Sequence, residues 1–170
     1  MRMQSLLKYL IEYFNAEVYT GKDKNYMFAK VDRSSYVAVA DFLFKKGFKR
    51  LLTVSAIDWV LRNVFEIYFI VYNHAMNVYI KVSTEIPRDN PEILSLSSIW
   101  ENALMHEREV WELFGIKFIG NTMLEPLFLE DWKGPPPFRK DFNWREYVAK
   151  EFGLKYAPVP KIVYSKSEKK

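Results

Sequence analysis

The sequence predicts an α+β domain followed by an extended C-terminal arm. Apolar residues recur at helical spacing near residues 3–14, 34–46 and 98–114, while runs rich in Val, Ile, Phe, Tyr and Thr alternate with short polar turns. We therefore expect a mainly antiparallel sheet of about four to five strands with packed helices. The expected units are an α+β domain over residues 1–116, a docking arm over 117–145, and a short helix and flexible tail over 146–170.

The first part of the chain alternates helix and strand patterns. Residues 3–14 carry apolar side chains at helical spacing, which predicts a first helix. Residues 16–20 and 26–31 flank the turn-rich stretch Gly-Lys-Asp-Lys-Asn and predict two strands joined by a hairpin or short loop. A second helix is expected from Ser34 or Ser35 to Lys46, where Gly47 can end it.

Three strand patterns follow in sequence. Residues 48–58, 63–72 and 77–84 are separated by short polar turns, which favours sequential, largely antiparallel strands. The segment Asp89-Asn90-Pro91 then interrupts the strand region. Because Asn is a common N-cap and Pro is tolerated at the first helical position, we expect a helical turn there.

The central helix is expected to begin near Ser98. Ser98 and Glu101 have the spacing of a capping box, and Gly115 can adopt the left-handed conformation that ends a helix. One side of this helix carries apolar side chains and the other carries charged ones, so the first should pack on the domain. The apolar set is Ile99, Trp100, Ala103, Leu104, Val110, Trp111 and Phe114, and the charged set includes Glu101, Arg108 and Glu112.

Composition excludes several classes of function. The chain has no cysteine, which excludes disulfides, thiolate zinc sites and cysteine-ligated iron–sulfur clusters. Any redox centre must therefore belong to another chain. The formal net charge is +4 and the basic residues are scattered among acidic ones, which is weak support for nucleic-acid binding. No apolar run approaches the roughly 20 residues that span a bilayer, so we expect a cytoplasmic protein without a membrane span.

The segment 116–141 combines four prolines and two glycines with many aromatic and aliphatic side chains. Disordered linkers are normally poor in such side chains, and long structureless stretches are unusual inside compact domains. A surface of this kind is expected to lie along a partner protein.

Two motifs carry a resemblance to a known family. The run HEREVWELFGIKFIG at 106–120, followed by LEDWKGPPPFRKDF at 129–142, resembles the C-subunit family of NADH-quinone oxidoreductase. Members of that family are also known as the 30 kDa subunit of respiratory complex I, and the family has counterparts in energy-converting membrane-bound [NiFe] hydrogenase complexes. Residues 48–100 are also similar to the sheet of that family and to the stretch that leads into its central helix.

The resemblance implies a cofactor-free subunit of the peripheral arm of a membrane-bound, ion-pumping redox complex, on the cytoplasmic side. It implies docking on a hydrogenase-like large subunit beside an iron–sulfur subunit, with FeS clusters and possibly a NiFe centre in those partners. Trp132 and Arg139 are expected to anchor the interface. The matching family positions, expected to serve docking, are Glu107, Arg108, Glu109, Glu112, Leu113, Phe114, Gly115, Asp131, Trp132, Gly134, Arg139, Lys140 and Asp141.

One position departs from the family pattern. Quinone-linked members usually read Gly-His-Pro, whereas this chain has Gly120-Asn121-Thr122. The departure favours a membrane-bound hydrogenase or related ferredoxin-driven complex. The alternative is the 30 kDa subunit of a NADH/quinone-type complex I.

Two other classes of function stay open at the level of sequence. Glu107, Glu109 and Glu112 could serve acid–base chemistry in a stand-alone enzyme, although such sets are more often ion-pair networks, here with Arg108 and Glu112 at i,i+4 spacing. Basicity and aromatic content are the observations in favour of nucleic-acid binding. No catalytic, cofactor or metal site is predicted, since His106-Glu107 lacks the second histidine of a zinc motif and has Val110 in its place.

Overall fold

The structure, a computed structural model, describes residues 3–153. Within that range the chain forms four α-helices and seven strands, with short 3-10 turns at Arg33–Ser35 and Val60–Arg62. The elements in order are α1 (Met3–Phe14), β1 (Glu17–Thr20), β2 (Tyr26–Lys30), α2 (Tyr36–Lys45), β3 (Arg50–Trp59), β4 (Val64–Asn73), β5 (Val78–Pro87), β6 (Glu92–Leu94), α3 (Ala103–Phe114), β7 (Lys117–Ile119) and α4 (Trp144–Phe152).

The main sheet has five strands in the order β1-β2-β5-β4-β3. The pairs β1/β2, β3/β4 and β4/β5 are antiparallel, and β2 pairs with β5 in parallel. The α+β class with a mainly antiparallel sheet is therefore confirmed, as are α1 and the N-terminal hairpin. A parallel pair between β2 and β5 requires a long crossover, which α2, β3 and β4 supply.

The core lies on one face of this sheet. Side chains of β4 alternate between buried and half-buried, so that Phe65, Ile67 and Phe69 are fully buried on the same side. Phe69 packs edge-on against Tyr36 of α2 at 5.2 Å between ring centroids, and it lies 5.8 Å from the ring of Trp100. Helix α2 and the segment before α3 thus cover the same sheet face, and α3 packs on the edge strand β3 and, through Phe114, on Phe65 of β4 at 6.3 Å between ring centroids.

The predicted start of the central helix is wrong. Helix α3 begins at Ala103, and residues 97–102 form turns in which the N–H groups of Ile99 and Trp100 both donate to the carbonyl of Leu96. The physical reason is that the backbone before the helix is held by other contacts: Leu96 N–H donates to the Glu107 carboxylate. The predicted end is confirmed, because Gly115 has φ +75° and donates its N–H to Trp111.

The helical turn predicted at 89–91 is also wrong. The chain forms β6 at Glu92–Leu94, which pairs in parallel with β7, and Pro91 accepts a backbone hydrogen bond from Lys117. Three-residue strands carry too few side chains to show a period of two, so this small second sheet has no clear signal in the sequence.

Beyond β7 the chain crosses the surface without regular structure as far as α4. We use "the arm" for residues 120–143. The helix expected after the arm is present as α4, and the Asn143 side chain caps it by accepting from the N–H groups of Arg145 and Glu146. The predicted tail after residue 153 lies outside the described residues. Within residues 3–153, no helix has the length and apolar character needed to cross a membrane.

The packing of β4 leads to a first prediction. Phe69→Ala should lower the free energy of unfolding by about 3–5 kcal/mol, because it removes a fully buried ring that packs against Tyr36 of α2 and Trp100. The control Ile70→Ala, one residue along on the half-buried face, should cost roughly 1 kcal/mol. Urea denaturation of both variants checks the difference, and equal losses would contradict the position of the core.

Candidate functional site

The arm is held on α3 by the carboxylate of Glu112. Its two oxygens accept three successive backbone N–H groups, from Leu127 at 3.0 Å, Phe128 at 2.9 Å and Leu129 at 2.8 Å. Partial burial alone would raise the pKa of Glu112, but these three donors and the nearby Arg108 charge lower it below its usual range. Glu112 is therefore ionised at neutral pH and binds the middle of the arm.

Arg108 holds the preceding turn of the arm. Its Nε donates to the Glu125 carbonyl at 2.7 Å, its Nη2 donates to the Pro126 carbonyl, and it forms an ion pair with the Glu125 carboxylate at 3.6 Å. The ion pair predicted between Arg108 and Glu112 is not the main contact of either side chain. The arm of the same chain therefore covers the part of the charged side of α3 that carries Arg108 and Glu112, and docking of this side on a partner stays a prediction.

The C-terminus of α3 provides a second attachment point. Phe138 N–H donates to the carbonyl of Leu113 at 2.9 Å, and Arg139 Nε donates to the carbonyl of Phe114 at 2.9 Å. Both bonds satisfy carbonyls that have no partner within a helix end, and the guanidinium complements the negative end of the helix dipole. A Cβ at Gly115 would lie 2.8 Å from Pro136, so glycine also permits close approach.

The last part of the arm is fixed to the end of the sheet. Arg88 lies between two carboxylates: its Nε is 2.8 Å from the buried Asp58, and its Nη2 is 2.8 Å from Asp141. Asp58 also accepts the backbone N–H of Lys140 at 2.9 Å. Partial burial would raise the pKa of Asp141, but the contact with Arg88 lowers it. The Lys140 main chain, rather than its side chain, makes this attachment.

A tight loop stands between these attachments. Trp132 packs against Tyr147 of α4 at 4.7 Å between ring centroids, and its Nε1 donates to the Pro135 carbonyl at 3.0 Å. A Cβ at Gly134 would lie 2.7 Å from the Trp132 ring and 2.8 Å from Tyr147, while Asp131 adopts a left-handed φ of +54°. These family positions shape the loop and join the arm to α4.

Glu107 occupies a different environment on the same helix. The side chain is fully buried and accepts hydrogen bonds from Ser95 Oγ at 2.6 Å, Leu96 N–H at 2.7 Å and Asn121 Nδ2 at 2.9 Å. Burial raises the pKa of Glu107, although the three donors partly oppose that effect. The carboxylate therefore connects the segment before α3, the helix and the first turn of the arm.

Asn121 takes part in this cluster at the position that departs from the family pattern. Its Nδ2 also donates to the carbonyl of Leu104 at 3.1 Å, and its Oδ1 accepts the N–H of Met123 at 2.8 Å. The asparagine is buried and uses both ends of its side-chain amide. In this chain the substituted position thus has an internal structural role.

The structure separates the three glutamates that could have formed an acid–base group. Glu107 points into the core and Glu112 towards the arm, and Glu109 is exposed. Of these three glutamates, only Glu112 lines the cavity of about 260 Å³ between α3 and the arm. Its carboxylate already accepts hydrogen bonds from backbone N–H groups of the arm. No group of three or more potential metal-ligating side chains is found within residues 3–153.

The outer side of the arm and the strand edge beside it expose large apolar side chains. Phe128 is 61% exposed and Phe138 is 54% exposed, although the backbone at both residues is hydrogen-bonded to α3. Leu94 and Ile119, paired between β6 and β7, are also exposed, as are Met105 and Met123. Family positions thus hold the arm from inside, while neighbouring apolar residues face outward.

Comparison with known proteins decides the family. The profile described as "Respiratory-chain NADH dehydrogenase, 30 Kd subunit" matches residues 29–148. The chain belongs to this 30 kDa subunit family. The match runs from the last two residues of β2 to the first five residues of α4, so it includes the central helix and the whole arm.

Several proteins are similar to this member of the 30 kDa family. The C subunit of the F(420)H(2) dehydrogenase of Methanosarcina mazei is 36% identical over 119 residues, which are 68% of this chain and 74% of the relative. The C subunit of the NADH-quinone oxidoreductase of Moorella thermoacetica is 32% identical over 99 residues, which are 58% of this chain and 67% of the relative. A chain in the structure of the membrane-bound sulfane sulfur reductase, an archaeal respiratory membrane complex, has the same fold, with a TM-score of 0.80, 24% identity and coverage of 95% of this chain and 98% of that one.

The Glu112 contacts predict a local effect on the arm. Glu112→Gln removes the charge and replaces one acceptor oxygen by a donor, so it should lower the free energy of unfolding by roughly 1–3 kcal/mol. Amide exchange at Leu127, Phe128 and Leu129 should accelerate more than exchange in the sheet. The exposed Glu109→Gln on the same helix is the control, and unchanged exchange in the Glu112 variant would contradict the role of this carboxylate.

Two glycines with positive φ provide a matched test of the second attachment. Gly115→Ala and Gly153→Ala should both lose about 1–2 kcal/mol from the left-handed backbone. Only at Gly115 would the new methyl group meet Pro136 and Arg139, which should add roughly 1–3 kcal/mol. Thermal or urea unfolding of both variants measures the difference. Equal losses would mean that the arm does not approach Gly115 closely.

The raised pKa of Glu107 predicts that its contribution to the free energy of unfolding falls as the pH rises, whereas the lowered pKa of Glu112 predicts a contribution that rises with pH. The folded state binds the Glu107 proton more tightly than the unfolded state does, because the pKa is raised on folding. The stability of the natural chain relative to Glu107→Gln should therefore be highest below the ordinary glutamate pKa. It should fall as the pH rises through the interval up to the raised pKa and then become constant. Denaturation of both proteins across this range checks the slope, and a rising or level difference would contradict the burial of this group.

Proposed function

We propose that this chain is a cofactor-free structural and assembly subunit in the peripheral arm of a membrane-bound, ion-pumping redox complex. It would dock on a [NiFe]-hydrogenase-like large subunit, beside an iron–sulfur subunit, on the cytoplasmic side of the membrane. FeS clusters, and a NiFe centre where one is present, would then be carried by those partner subunits. The chain itself would keep the electron-transfer module in register.

The observation that carries this proposal is an arm that is already ordered on its own domain and exposes apolar side chains. Backbone groups of the arm are bound by Glu112, Arg108 and the C-terminus of α3, so little conformational freedom is lost when a partner binds. Phe128 and Phe138 remain exposed on the outside. Ordered aromatic side chains on a protein surface are typical anchors of protein interfaces.

Membership of the 30 kDa family supports the assignment to a respiratory type of complex. The preference for a hydrogenase-type or ferredoxin-driven complex rests on Asn121 at the substituted family position. The 30 kDa subunit of a NADH/quinone-type complex I is the second candidate, and it is favoured by relatives that are named as NADH-quinone oxidoreductase subunits. The stand-alone enzyme has less support, because the candidate carboxylates do not converge on an open cavity.

Gentle affinity purification of the tagged chain from native membranes tests the proposal. A co-purifying large subunit with metal-binding cysteines is expected. Nickel in that complex would indicate a hydrogenase, whereas iron without nickel would indicate a quinone-linked or sulfur-linked relative. Recovery of the chain alone in soluble form would overturn the proposed role.

A pair of surface variants tests which side of the arm docks. Phe128→Ser should leave the free energy of unfolding nearly unchanged, because the ring is 61% exposed, but it should reduce recovery of the large subunit by about tenfold or more. Ile11→Ser on α1, 51% exposed, is the control and should assemble normally. Normal recovery with both variants would show that Phe128 lies outside the interface.

A further inference from the structure

A basic groove lies at the end of the sheet remote from the arm attachments at Asp58. It has a volume of about 600 Å³ and is open to solvent. Its walls are the turn between α2 and β3 and the turn between β4 and β5. The lining residues are Lys46, Gly47, Lys49, Arg50, Tyr72, Asn73, His74, Ala75 and Met76.

The groove is built by a buried asparagine that joins its two walls. Asn73 is 4% exposed; its Nδ2 donates to the carbonyl of Lys46 at 3.2 Å, and its Oδ1 accepts the N–H of Met76 at 3.0 Å. Gly47 adopts φ +93°, and a Cβ there would lie 3.1 Å from the Asn73 amide. Because both turns are bound to one rigid side chain, the groove is formed before any ligand arrives.

The charges in the groove are of one sign. The lining contains three permanent cations and no carboxylate. Lys46 and Lys49 lie over the rings of Phe42 and Phe44, at 5.3 and 3.4 Å, and within residues 3–153 neither they nor Arg50 has an acidic partner within ion-pair distance. Residues 42–57 and 67–84, which form both walls, contain no Asp or Glu. Positive charges that line one recess produce a positive electrostatic potential there, which attracts anions.

Apolar surface accompanies these charges. The ring of Tyr72 packs against Tyr79 in a tilted arrangement, at 4.5 Å between centroids, and its hydroxyl donates to Asn77 at 3.0 Å, so the ring is held in place beside Ala75 and Met76. Free phosphate would contact the cations but would leave the apolar surface of Tyr72, Ala75 and Met76 exposed to solvent. An anionic bilayer, in turn, is usually recognised by clusters of four to eight cations, whereas the groove is lined by three.

We propose that the groove binds an acidic segment of a partner protein, with carboxylates on Lys49 and Arg50 and apolar side chains against Tyr72 and Met76. The guanidinium of Arg50 suits a bidentate carboxylate. This contact is distinct from docking through the arm, and it does not depend on which large subunit is present. If the groove does not bind an acidic segment, the purification test of the proposed function is therefore unaffected.

Fluorescence anisotropy with the 170-residue chain tests the groove. The probe is a labelled peptide of alternating glutamate and leucine, and the control probe has glutamine in place of glutamate. The acidic peptide should bind, and its affinity should fall as salt is raised towards physiological ionic strength. Equal binding of both peptides, or binding to phosphatidylserine vesicles but not to the peptide, would overturn the proposal.

Charge-reversal variants locate the binding. Arg50→Glu and Lys49→Glu, both exposed, should each weaken binding of the acidic peptide by about tenfold while the unfolding curve stays in place. Lys8→Glu on α1 changes the net charge equally and should have less than about a twofold effect. If all three variants weaken binding alike, net charge alone accounts for it and the groove has no specific role.

Discussion

The need to satisfy the backbone of an irregular arm is the constraint on which the rest of the structure depends. A segment rich in proline cannot pair its N–H and C=O groups in a helix or sheet, and buried unpaired groups are costly. Here side chains and the end of one helix provide the missing partners. Glu112 accepts three N–H groups, Arg108 binds two carbonyls, and the last carbonyls of α3 accept from Phe138 and Arg139. The helix is thus a template for the arm.

The template has to be fixed to the domain before it can position the arm. Val110 and Ala103 pack into the core, and the buried Glu107 connects α3 to the segments on either side of it. A buried carboxylate is expensive unless it is fully hydrogen-bonded, and this one has three donors. These three hydrogen bonds offset the cost of burying the carboxylate, and they fix the positions of the two loops that donate them. Among the family positions on α3, Glu107 thus joins the domain to the start of the arm, while Arg108 and Glu112 bind the middle of the arm.

Sequence patterns predicted the structure where they were long and periodic, and they failed where tertiary contacts replaced them. The pattern of α1 and the three ten-residue strands was clear because each buries one face. The capping-box pattern at Ser98 was misleading, since Leu96 is bound by Glu107 and the chain turns before the helix starts. Burial of Glu107 had a signal that was overlooked: it lies four residues after Ala103 and three before Val110, on the packed stripe. The internal role of the arm contacts had no such signal, because Arg and Glu on a helix surface have the same pattern whether they bind a partner or their own chain.

The sheet also determines how the two ends of the molecule can act together. Strands β3, β4 and β5 run from the basic groove to the Asp58–Arg88–Asp141 cluster, and ten residues of strand span roughly 30 Å. These strands are paired along their length and bury one face, so neither end can move far without breaking the core. Effects of changes at the two ends on the free energy of unfolding should therefore be additive.

In an assembly, however, two weak contacts separated by a rigid spacer raise each other's effective concentration if their partners belong to the same complex. A rigid sheet with an ordered arm at one end and an anion-binding groove at the other is suited to holding two neighbouring subunits at a fixed separation.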